Sequence, residues 1–130
     1  MTAWETVFRN GFLPSMTIEE IKFLREGCVK DDDRLRQGST TSPPPMMCVQ
    51  DWRCEGGCAI GFASMVRPGI TVGEAETYFA RLCYETDKRL GEPAVCRYFL
   101  NWFDDGARDD VFNEVVRAID EYFAEARIDL

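Results

Sequence analysis

The stretch WRCEGGCAIGFASMV, from Trp52 to Val66, decides how the chain folds. Gly56 and Gly57 open it with a backbone free to turn sharply, and an apolar run follows at once, which is how a loop passes into a buried helix. Gly57 and Gly61 stand four apart and are flanked by Cys58 and Ala59, so one side of the predicted helix at about 57–66 is almost bare and suits the close approach of another helix. Ile60, Phe62 and Met65 fill the other side. A short helix that is apolar nearly all round belongs at the centre of a bundle, wrapped by the others.

Amphipathic helices stand on both sides of this stretch. Thr2 and Glu5 have capping-box spacing, and Trp4, Val7 and Phe8 share a face, giving a short helix over 3–10 that Gly11 ends. Thr17 and Glu20 repeat the device, and Ile18, Ile21 and Leu24 form a stripe that runs to Gly27. After the turn at Pro68 and Gly69, a third box at Thr71 and Glu74 starts a helix that buries Ala75, Tyr78, Phe79, Leu82, Cys83 and Thr86 and stops at Gly91. Pro93 suits a first helical position, with Val95, Tyr98, Phe99, Trp102 and Phe103 on one face. A last helix over about 109–126 turns Val111, Phe112, Val115, Ala118, Ile119, Tyr122 and Phe123 inward. The expected fold is therefore mainly α, with five to six helices around the short central one.

Residues 28–56 keep no helical period. Asp31 to Asp33, Arg34 and Arg36, Gly38 to Ser42 and Pro43 to Pro45 predict an exposed proline-bearing loop over about 34–47. Met46 to Trp52 alternate as a short strand would, which leaves room for a small hairpin within 28–56, paired near Val29. At 130 residues the chain suits a single domain, 1–130, large enough for a core without cross-links. It shows no internal repeat.

From Gly27 onward the pattern resembles a small uncharacterised domain family of bacteria and their phages. The marks are Gly27, the core Cys58-Ala59-Ile60-Gly61, the turn with Asn101, Asp104 and Asp105, and the helix through Val115 and Ile119, together spanning roughly residues 27–120. Phe62, where the family favours alanine, and the proline loop depart from it. The resemblance implies a helical fold and a bacterial or phage origin, and no activity.

No basic leader with a cleavage site opens the chain, and no apolar run reaches spanning length, so a soluble, cytoplasmic protein without membrane contact is expected. The six cysteines, Cys28, Cys48, Cys54, Cys58, Cys83 and Cys96, are then expected to stay reduced. The chain has no histidine, which removes the commonest general base and the usual partner of a catalytic serine or cysteine. Lys22, Lys30 and Lys88 sit in no catalytic motif, and no phosphate-binding glycine loop is present. Carboxylate pairs are not readable from sequence. The expectation is a protein that is not an enzyme and needs no cofactor.

Two other chemistries stand beside this. Cys28, Cys48, Cys54 and Cys58 would suffice for a tetrahedral zinc site, although without paired C-x₂-C spacing. Cys58 at a helix start, with Cys54 to resolve it, would suit a thiol-redox regulator.

Charge points elsewhere. The net charge is −8, and residues 101–130 hold nine acids, Asp129 among them, against three bases, whereas residues 1–100 hold fourteen against twelve. An acidic surface disfavours direct nucleic-acid binding, because phosphates demand basic groups. Asp104, Asp105, Asp109, Asp110, Glu114, Asp120, Glu121 and Glu125 are the expected contacts to a protein partner with a basic surface. Such a domain suits a phage-derived inhibitor of a nucleic-acid-handling host complex, as anti-CRISPR proteins are, with the proline loop as a second surface.

Overall fold

The computed structural model describes residues 1–128, so Asp129 lies outside the described residues. The helices are α1 (Ala3–Val7), α2 (Leu13–Ser15), α3 (Ile18–Val29), α4 (Ala59–Ser64), α5 (Val72–Leu90), α6 (Arg97–Asp105) and α7 (Arg108–Ala126). The fold is mainly helical, as expected. All six residues of α4 are buried, and α3 and α5 flank it.

The bare side of α4 does not receive a helix, as the sequence suggested. It receives the backbone of Thr40: a Cβ added at Gly57 or Gly61 would fall inside contact distance of the Thr40 carbonyl oxygen. Around this contact the chain 34–42 folds back on the segment 56–58. Gly57 donates to Arg34 O and Arg36 donates to Gly57 O, both at 2.8 Å, while Cys58 donates to Ser39 O and Ser42 to Gly56 O, also at 2.8 Å. Leu35 and Thr41 are thereby fully buried. The proline loop is therefore exposed only in part, chiefly at Pro44–Cys48. No hairpin forms among the described residues: the pairings are isolated bridges, Leu35 with Gly57, Ser42 with Gly56 and Arg53 with Thr71, and Met47–Val49 is a turn of 3₁₀ helix. Two glycines side by side weaken strand pairing, and the prolines remove donors a ladder needs.

Two other glycines act by approach instead of as stops. Gly11 sits inside a π-helical segment, Phe8–Phe12, that joins α1 to α2 as one rod, and a Cβ there would strike Thr86 of α5. At Gly27, inside α3, an added Cβ would lie 2.5 Å from the Phe62 ring. Both positions are helix-contact sites, so neither breaks its helix. Gly91 does end α5, in the left-handed region at φ 70°.

The boxes at Thr17–Glu20 and Thr71–Glu74 close as their spacing predicts, whereas Thr2 makes no side-chain cap because Glu5 is drawn to arginines. Glu20 also bolts α3 to the core, accepting from Tyr78 Oη at 2.9 Å and from Arg67 at 2.6 Å. Helix α6 starts at Arg97 and not at Pro93, since Ala94 turns to φ 61° and the Asp87 carboxylate accepts the N–H groups of Ala94 and Cys96, each at 2.9 Å. Tyr98 points outward in consequence.

Helix α6 supplies the aromatic hub. Phe99 is fully buried, with ring centroids of Phe8 at 4.5 Å, Phe12 at 5.3 Å and Phe103 at 5.9 Å, and Trp102 stacks on Trp4 at 3.6 Å. Phe103 carries the contact on to Phe112 of α7 at 5.9 Å. The N-terminal rod, α6 and α7 thus share one apolar centre.

Phe99→Ala should cost about 3–5 kcal/mol in urea unfolding, and a loss below about 1 kcal/mol would mean the hub does not carry the packing. Gly61→Ala should destabilise by about 1–3 kcal/mol, because the obstructing atom is a backbone oxygen and the loop as a whole must move.

Candidate functional site

The acidic C-terminal segment divides into two regions of different character. Beyond the first turn of α7 the carboxylates are neutralised from within. Asp120 takes both ends of the Arg25 guanidinium, at 2.7 and 3.2 Å. Arg117 reaches Glu114 at 2.6 Å, Glu5 at 2.8 Å and Glu121 at 2.8 Å. Arg9 reaches Glu5 at 3.1 Å, Glu121 at 3.1 Å and Glu125 at 2.6 Å. Glu5 and Arg9 are buried, so this network clamps the N-terminal rod to α7. Hydrogen bonds from Arg117 hold the Glu5 carboxyl below its ordinary pKa; burial opposes them and Arg9 adds to them. The Arg9 guanidinium is held charged chiefly by Glu125.

The helical wheel places Glu114 and Glu121 toward solvent, but Glu114 and Asp120 are half-buried, and all four distal acids serve the fold. The other four expected contacts gather at the α6–α7 turn, about 22 Å along the α7 axis from Glu125 at 1.5 Å per residue. Asp104 accepts the Gly38 N–H at 2.9 Å. Asp105, Asp109 and Asp110 are exposed, and none of the ion pairs among the described residues engages them. Asp109 and Asp110 lie in the first turn of α7, where the helix dipole favours negative charge.

The structure adds a neighbour to this turn that the chain order conceals. Gln37 Nε2 donates to Phe103 O and Gly106 O, both at 2.8 Å, and Arg108 reaches Asp31 at 2.7 Å and Asp32 O at 3.0 Å while lying 4.4 Å over the Phe112 ring. Loop 31–38 therefore packs against the turn and brings its aspartate run alongside. That run was visible in the sequence, whereas its position beside Arg108 was not.

The thiols are gathered differently from the expected sets. Cys28, Cys54 and Cys58 are buried and Cys48 is exposed, and among the described residues no group of three or more cysteines or carboxylates is placed to hold a metal ion. The zinc reading of Cys28, Cys48, Cys54 and Cys58 is corrected accordingly. Against the redox reading, the Cys58 thiol at the start of α4 is buried, and desolvation raises its pKa to about 11, outweighing the backbone hydrogen bonds that lower it. Burial likewise pushes Cys28 to about 12. The Cys54 thiol donates to Gly56 O at 3.2 Å and serves the loop. The thiols that do come together are Cys83 and Cys96, near Asp87, and desolvation raises both.

The two buried carboxylates, Glu5 and Glu20, belong to separate networks, each bonded to arginine. None of the described helices is long and apolar enough to cross a membrane. No protein family, curated protein or solved structure matches the chain.

Two outcomes are expected here. Since the folded pKa of Glu5 lies below its unfolded value, the stability it contributes is present above about pH 4.3 and lost as pH falls through the folded value. Glu5→Gln should cost about 1–3 kcal/mol at pH 7 and flatten the fall in stability between about pH 5 and pH 3, as read by urea unfolding across that range. In native protein at pH 7.5, iodoacetamide should modify Cys48 first and leave Cys28, Cys54 and Cys58 intact until denaturant is added; early loss of the Cys58 thiol would contradict its burial.

Proposed function

We propose that the chain is a small acidic, non-enzymatic protein-binding domain whose partner presents a basic surface. The observation that carries this reading is the α6–α7 turn, where Asp105, Asp109 and Asp110 stay exposed and outside the internal ion pairs while the later acids of α7, from Glu114 on, are neutralised. Asp104 stands beside them, tied to loop 31–38 through Gly38. Unpaired carboxylates on a rigid turn attract and orient a cationic surface over roughly a Debye length, about 8 Å at physiological ionic strength. In this reading the domain occupies a basic groove that otherwise receives nucleic acid, as an inhibitor of a host complex of the anti-CRISPR kind does. The absence of histidine and the arginine-bound state of both buried carboxylates support a role without catalysis.

The contact set is accordingly narrower than the eight acids of the segment. Reversing Glu114 or Glu121 would test the Arg117 clamp and not binding. The informative variant is Asp105→Lys with Asp109→Lys and Asp110→Lys. Lost dipole interactions in α7 should cost about 0.3–1 kcal/mol at each of the last two positions, too little to unfold the domain. Affinity capture from a bacterial lysate should recover a basic partner with the wild type, more weakly as salt rises, and lose it with the triple variant at unchanged helicity. Recovery of the same partner by both proteins would refute the acidic-turn reading.

A further inference from the structure

Three exposed apolar side chains, Met46, Met47 and Trp52, stand on one protrusion. Pro44 to Cys48 are exposed in succession, with Met47 95% and Met46 57% accessible, and Trp52 beside them is 59% accessible. The base beneath is rigid. Val49 is buried and donates to Met46 O at 3.0 Å, and Gln50 Nε2 donates to Met46 O at 3.2 Å and to Glu76 at 3.0 Å. Val72 donates to Trp52 O at 2.8 Å and Gly73 to Gln50 O at 2.9 Å, so the C-terminal side of the protrusion is fastened to the start of α5. A loop that only needed to be solvated would carry polar residues on so fixed a base; flexible methionines and a tryptophan held in water are the chemistry of a contact surface.

A shallow cleft of about 390 Å³ lies against the protrusion, lined by Ser42, Pro43, Trp52, Arg53 and Glu55. It is ample for a methionine side chain. Arg53 and Glu55 at its rim are exposed and belong to none of the ion pairs among the described residues. Knob, cleft and charges of both signs thus share one small patch, which is what a two-fold contact requires, since each copy must offer both halves of every interaction. A partner with only a basic surface would meet Arg53 as a like charge, so this patch is distinct from the acidic turn and does not depend on it.

We infer that the chain forms a two-fold dimer in which Met47 of each copy enters the Pro43–Trp52 cleft of the other, with Arg53 of each copy facing Glu55 of the other. The patch spans few residues compared with the 20–30 per side of a standard interface, so the dimer is weak and concentration-dependent.

Sedimentation equilibrium of the full chain from about 1 μM to about 1 mM, the range in which a low-area contact assembles, tests this. The wild type should pass from monomer to dimer. Met47→Asp should raise the dissociation constant at least about tenfold, and because Met47 is almost wholly exposed, the circular dichroism should be unchanged. Arg53→Glu should weaken the dimer, and Arg53→Glu combined with Glu55→Arg should restore it, because the reversed pair meets across the two-fold axis. A wild type that stays monomeric throughout, a dimer indifferent to Met47→Asp, or a double reversal that does not recover would each overturn the arrangement.

Discussion

The contact between the Thr40 carbonyl and the side-chain-free edge of α4 is the constraint from which the rest of the architecture follows. Only glycine at positions 57 and 61 lets a backbone oxygen come so close, and that oxygen draws the two legs of the loop, 34–36 and 39–42, onto the segment 56–58. With the legs in place Leu35 and Thr41 are sealed from water, and α4 is covered on the side where no helix lies. The same fold-back sets Gly38 against Asp104 and Gln37 against the α6–α7 turn. The chain that follows the second leg stands clear as the Pro44–Cys48 protrusion. Both surfaces with a suggested role are thus placed by one close approach at the centre.

Electrostatics divides the labour along the last helix. A net charge of −8 would disfavour a compact state if the acids stood free on one face. The fold avoids this by spending arginines on the crowded end: Arg25, Arg117 and Arg9 each take carboxylates of α7, and Arg9 does so from a buried position on the N-terminal rod. Exposed ion pairs contribute little singly, but a network anchored on the buried Glu5 and Arg9 makes the packing of two distant segments specific. What remains unneutralised among the described acids of the C-terminal segment is confined to the α6–α7 turn, where the dipole of α7 makes negative charge favourable to the fold.

The cysteines follow the same logic of burial. A thiol at a helix start invites an activated reading, yet desolvation of the buried Cys58 thiol outweighs the backbone hydrogen bonds that lower its pKa. Cys83 and Cys96 meet because Asp87 caps the turn before α6 and draws Cys96 against α5.

Periodicity and capping chemistry act over three or four residues, and these were legible in the sequence: the boxes at Thr17–Glu20 and Thr71–Glu74, the stop at Gly91, the central burial of 59–64, and the inward faces of α5 and α7. Whatever depended on a distant neighbour was not. A glycine reads the same whether it ends a helix, as Gly91 does, or admits Thr86 or Phe62, as Gly11 and Gly27 do, because the difference lies in what stands opposite. Charge counting marked an acidic segment but not which of its acids are paired within the fold, since Glu121 meets Arg9, and Glu5 meets Arg117, across 112 residues of chain. Local backbone preference is written in adjacent residues, whereas the pairing of charges and the closeness of backbones exist only once the helices have packed.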